Sequence, residues 1–180
     1  MMTSEEKHER LPRTQFGYIT ADDISQVQAL LTTAAEVFDT EQEPSQAPAD
    51  LATFRKLNQL STHTIGVEKT LDGQIVAWCT AFPTKAVLMR RFLDGAITER
   101  SLFEQTDAGD TGAVYVMSVY IFPEQRGTIS PERLVRNTVA PLLHVPAPVF
   151  YQGLTEQGAR LGALLQKKFG RRGYQVLRFK

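Results

Sequence analysis

From Ala113 to Phe122 the chain reads AVYVMSVYIF, an almost unbroken apolar run. Such a run predicts a central strand buried on both faces. Apolar positions elsewhere repeat at other periods. Ile24, Val27, Leu31, Ala34 and Phe38 recur at helical spacing, which predicts a helix from about Ala21 to Phe38. Thr20 would cap it, after a short strand at QFGYIT. Beyond the proline-bearing loop TEQEPSQAPAD, Asp50 is the expected cap of a second helix, LATFRKLNQL. THTIGVEKT and QIVAWCTAF, separated by Leu71–Gly73, read as a hairpin whose second strand stops at Pro83.

The stretch AVLMRRFLDGAITERSLFEQ predicts two short helices broken at Asp94-Gly95, with Thr98 capping the second. It forms a helical insertion at about 85–106, over one end of the sheet. Leu88, Met89, Phe92 and Leu93 make it either a satellite that completes the core or a lid or partner surface. After the central strand, Pro131 to about Ala140 is a helix with Leu134, Val135 and Val139 inward, stopped by Pro141. PVFYQGL is a strand. Thr155 caps a longer helix to about Phe169, with Leu161, Leu164, Leu165 and Phe169 on one stripe, and YQVLRF is the last strand. The order is β-α-α-β-β-(α-α)-β-α-β-α-β: an α/β layered fold with a mixed, mostly antiparallel central sheet flanked by helices.

Composition narrows the partners. The 180 residues carry 20 basic and 20 acidic side chains, with 42% hydrophobic residues, which suits one domain over 15–180 after a polar tail at 1–14. Charge balance argues against nucleic acid and anionic membrane. No stretch has the length of a signal-peptide core or a membrane span, so a cytoplasmic protein is expected. The single cysteine, Cys79, lies in an apolar run and reads as a buried small hydrophobe. His8, His63 and His144 are too scattered for a metal site, and no metal is expected. Lys167, Lys168, Arg171 and Arg172 close a helix, where cations complement its dipole; contact with an anionic ligand is the alternative.

The chemistry-bearing stretch is YIFPEQRGTISPERL, Tyr120 to Leu134. A strand stops at a proline, turns through Arg126-Gly127 and starts a helix, whose free N–H groups and dipole favour an anion. This layout, with the element order from Gln15 onward, resembles the GCN5-related N-acetyltransferase superfamily. That family's turn is proline, two variable residues, Arg or Gln, two variable residues, Gly, one variable residue, and Gly or Ala. Pro123, Glu124, Gln125 and Arg126 fit, whereas Ile129 and Pro131 replace the small residues.

The resemblance implies an acetyl-CoA, or another acyl-CoA, lying along the end of the central strand. Its pantetheine would meet the backbone of Val119, Tyr120 and Ile121, and its pyrophosphate would meet Arg126, Gly127, Thr128, Ile129 and Ser130. Ser130 and Pro131 start the helix well but weaken the anion site. Pro131 has no N–H, and the Ser130 side chain takes that of Arg133. One lost charge-assisted bond is worth roughly 1.5 to 3 kcal/mol. Arg126 and Thr128 offset this by meeting phosphate directly.

Acyl transfer to an amine needs a base and often an acid. The strand holds no carboxylate, which leaves Tyr115 and Ser118 as candidates, Ser118 through a relayed water. The family's acid, a tyrosine four residues before a Gly-aromatic pair, falls here on Phe169, so Tyr174 or Tyr151 would have to substitute. The implied activity is N-acetyl transfer from acyl-CoA to a small-molecule or protein amine. The alternatives are a catalytically inactive binding module on the same fold, and an unrelated α/β domain. A homodimer is left open.

Overall fold

The computed structural model describes residues 13–20, 22–39, 42–144, 146–153, 155–170 and 175–178. Six strands form one sheet in sequence order, β1 (Thr14–Tyr18), β2 (Ile65–Thr70), β3 (Ile75–Lys85), β4 (Gly112–Ile121), β5 (Val149–Tyr151) and β6 (Val176–Arg178). The first three pairings are antiparallel and the last two parallel, as the mixed sheet expected from the sequence requires. Helices α1 (Ile24–Phe38), α2 (Leu51–Leu60), α3 (Ala86–Leu93) and α4 (Glu99–Gln105) lie between the early strands in sequence. Helices α5 (Pro131–Val139) and α6 (Glu156–Gly170) follow β4 and β5.

Two apolar cores sandwich the sheet. One joins Trp78, Phe82, Tyr115 and Phe150 to α1–α4 through Val27, Phe54, Phe92 and Leu102. The other joins Ala77, Cys79, Val114, Val116 and Tyr151 to α5 and α6 through Leu134, Val135, Leu165 and Phe169. Leu88, Met89 and Phe92 are buried in the first, so the insertion completes the core instead of presenting an apolar lid. Burying each such side chain contributes about 1.5 to 3 kcal/mol before chain entropy is counted.

Local signals set most helix starts. The Asp50 carboxylate accepts from Thr53 N at 2.8 Å and Thr98 Oγ1 from Ser101 N at 3.2 Å. Ser130 Oγ accepts from Arg133 N at 3.2 Å and Thr155 Oγ1 from Gly158 N at 3.0 Å. Each such cap is worth about 1 kcal/mol.

Some expectations are corrected. Helix α1 starts at Ile24, with Asp23 and not Thr20 before it and no side-chain cap. Ile24 is exposed, and Leu30 takes its place in the buried stripe with Val27 and Ala34. Pro83 does not end β3; it lies inside the strand opposite Val114. The β2 partner has already stopped at Ile65, opposite Thr80, so no ladder donor is needed on that side. Thr14, assigned to the tail, pairs with Thr70. Residues 1–12, with His8, lie outside the described residues, as do Arg171, Arg172 and Tyr174.

Candidate functional site

Where β4 passes between its neighbours, two irregularities coincide. Thr80 faces Ser118 and Ala81 faces Val116, so Met117 is an extra residue, a bulge in β4. The bulge shifts the alternation: Ala113, Tyr115 and Met117 face α1–α4 before it, and Tyr120 does so after it. On the other edge, β4 pairs with β5 only from Val114 to Val116. Beyond Val116↔Tyr151 the two strands part, and the β5 side of Met117–Ile121 has no described strand partner.

A cleft of about 510 Å³ occupies this gap and crosses the sheet. On one side it is walled by α1, α2 and the loop at Gln46–Ala49, on the other by Tyr151, Gln152 and the first turns of α6. Ser118, Val119, Tyr120 and Ile121 run along it, and Arg126 and Pro131 stand at the loop end. Thr80 and Ser118, facing each other across β3 and β4, both line it, and neither hydroxyl has a hydrogen-bond partner among the described residues.

The turn after β4 is tightly folded. Pro123–Gln125 forms a 3-10 turn, and Arg126 and Ile129 make an isolated bridge. Gly127 adopts φ 91°, open to solvent where a Cβ would meet nothing within 4 Å. Ile129 points inward at 3% exposure and joins the α5–α6 core, so its branched side chain does not cover the loop's outer face. Its N–H and that of Thr128 go to Gln125 O, and that of Arg126 to Pro123 O. The Arg133 N–H goes to Ser130 Oγ, as the sequence predicts. The N–H groups of Ser130 and Glu132 make no hydrogen bond of good geometry among the described residues. Arg126 is exposed, its Nε donating to Ile121 O at 3.3 Å.

Tyr115 lies away from the cleft. Its ring is fully buried among Phe82, Phe92 and Phe150, and its hydroxyl donates to Glu99 Oε2 at 2.7 Å. Burial and the neighbouring carboxylate push that hydroxyl well above its ordinary range, so it holds its proton. Glu99, from the first turn of α4, does line the cleft. Its Oε1 accepts from Ala47 N at 3.1 Å, which ties the loop before α2 to the insertion.

Tyr151 ends β5 at the opening. Its hydroxyl has no hydrogen-bond partner among the described residues, and a Cβ at Gly162 would stand 2.0 Å from it, so α6 passes directly over the ring. Burial raises its pKa, while Arg178 draws it down.

Glu99 was not legible as a site residue, since an acidic residue behind a threonine cap reads as a complement to the helix dipole. The loop Gln46–Ala49 read only as a connection. Elsewhere, Lys168 pairs with Glu132 of α5 at 3.0 Å, His63 packs edge-on against Tyr18, and His144 is exposed. Among the described residues no group of His, Cys, Asp and Glu is placed to hold a metal, and no helix is long and apolar enough to cross a membrane.

No family model matches the chain, and no curated protein matches it. Among solved structures, the chain is similar to one described as histone acetyltransferase HPA2 and related acetyltransferase, from Corynebacterium glutamicum. The identity is 17% and the TM-score 0.46, over 84% of this chain and 83% of that one. Likeness at this level carries neither activity nor substrate.

Proposed function

We propose that the protein is an N-acyltransferase that takes its acyl group from an acyl-CoA and gives it to an amine. The observation that carries this reading is the parting of β4 and β5 after Val116↔Tyr151. It leaves strand backbone along Met117–Ile121 open to a second extended, amide-bearing chain, in the manner of strand addition. The cleft along that edge also ends at a helix start with an arginine. A pantetheine arm has the amides for the first feature, and a pyrophosphate has the charge for the second.

In this reading Val119, Tyr120 and Ile121 hold the arm by their backbone. Arg126, Thr128, the Ser130 and Glu132 N–H groups and the turn at Gly127 hold the phosphates. A bound acyl-CoA supplies the activated acyl group as a thioester. Ser118, with Thr80 beside it, presents a hydroxyl for orienting the amine or a water that accepts its proton. Tyr151 offers the proton on its Oη to the departing sulfur, and burial, which raises its pKa, keeps that phenol protonated at neutral pH. Tyr115 is left a structural part, since its hydroxyl is spent on Glu99.

Calorimetric titration with acetyl-CoA tests the reading. Saturable binding below about a millimolar is expected, weakened about tenfold or more by Arg126→Ala and by Gly127→Glu. Absence of binding at several millimolar overturns it, and binding without turnover for any amine leaves the fold as a binding module.

A further inference from the structure

The acyl-transfer reading leaves the acceptor open, and the charge distribution of the cleft narrows it; the inference below rests on that reading. Of the described residues lining the cleft, only Arg126 and Glu99 are charged, one at the loop end and one where α4 meets the loop before α2. Glu99 is 7% exposed and is held by two donors from different elements, Tyr115 Oη on β4 and Ala47 N in the loop. No cationic side chain lies within ion-pair distance of it among the described residues. Arg100, the adjacent residue, makes no ion pair with it: its Nε donates to Gln46 O at 3.1 Å, the carbonyl of the peptide whose N–H meets Glu99.

A carboxylate so enclosed is costly without a counter-charge, and two neutral donors fix its direction without supplying one. The α1, α2 and β3 wall of the cleft is mostly apolar, with Leu30, Ala34, Phe54, Leu57 and Trp78, and its polar members Gln46, Thr53 and Thr80 are uncharged. A second cation on the ligand would have to sit against those walls uncompensated. We infer that this end of the cleft takes a primary amine on an apolar body, with its ammonium against Glu99 and its hydrocarbon or aromatic part between α1, α2 and Trp78. Hydrophilic polyamines and lysine-rich peptide segments are the acceptors this geometry disfavours.

The test compares 2-phenylethylamine, 2-phenylethanol and spermidine by calorimetry on the full chain, each alone and with acetyl-CoA. The amine should bind roughly tenfold or more tightly than the isosteric alcohol, and more tightly than spermidine. Glu99→Gln should remove the preference over the alcohol while leaving acetyl-CoA affinity unchanged. Equal binding of amine and alcohol by the unaltered protein overturns the inference, as does a preference for spermidine, and neither result needs the variant to fold. Acetyl-CoA binding without an amine preference sinks the inference alone. An amine preference without acetyl-CoA binding sinks the acyl-transfer reading and leaves the amine site standing.

Discussion

Val116 and Tyr151 are the last residues at which β4 and β5 pair, and the cleft opens directly beyond them. The same tyrosine that closes the ladder also lines the cleft, its hydroxyl lying against Gly162 of α6, another lining residue. In Tyr151→Phe the ring still packs under Gly162 but cannot donate a proton. Turnover of acetyl-CoA with an amine acceptor should fall about a hundredfold, with acetyl-CoA affinity unchanged. An unaltered rate would remove Tyr151 from the chemistry.

Gly162→Ala tests the packing that positions that ring. The added Cβ would stand 2.0 Å from Tyr151 Oη, so the tyrosine or α6 must shift. Overpacking of this kind costs about 1 to 3 kcal/mol, measurable by denaturant unfolding. Wild-type stability in this variant would mean that the ring is not pinned by α6.

Glu99 predicts a stability change with pH. Burial raises its carboxyl above the ordinary value of 4.5, against the pull of the Tyr115 hydroxyl and the Ala47 N–H. The folded protein therefore binds this proton more tightly than the unfolded chain does. That contribution to stability is full below the unfolded value and is lost as pH rises through the folded one. Melting temperature followed against pH should show wild type losing ground to Glu99→Gln across that window. A constant difference between the two would contradict the burial of an uncompensated charge.

Cys79 should be inert. Its thiol, fully buried in β3, is pushed up to about 12 from an ordinary 9.0, mainly by burial. Thiolate is the reactive form, so a thiol reagent at pH 8 should label the protein only at the rate of unfolding. By the same linkage, its contribution to stability is full below the unfolded value and is lost as pH rises from there through the folded one. Fast labelling of native protein would show the β3 core to be open.

The sequence carried the fold through hydrophobic period, caps and prolines. Asp50, Thr98, Ser130 and Thr155 all cap the helices that their positions announce. Pro83 misled because a proline inside a strand is tolerated once the neighbouring strand has ended, and where β2 ends depends on tertiary structure. For the candidate site, the β4 backbone and Arg126 were legible because a strand, a proline and a helix start are local features. Glu99 was not, since its placement depends on an insertion folding back against Ala47 and Tyr115, 52 and 16 residues away. Tyr115 misled for the same reason: it lies where β4 is still paired with β5, its ring in the α1–α4 core and its hydroxyl on Glu99, whereas the β4 residues that line the cleft run from Val116 to Ile121.

Hydrogen exchange of β4 with and without acetyl-CoA tests the central claim most directly. Amides between Met117 and Ile121 that face the gap should gain protection when acetyl-CoA is added, together with the Ser130 and Glu132 amides. Those from Val114 to Val116, already paired with β5, should not change. Acetyl-CoA that leaves the Met117–Ile121 amides as exposed as before would contradict the account.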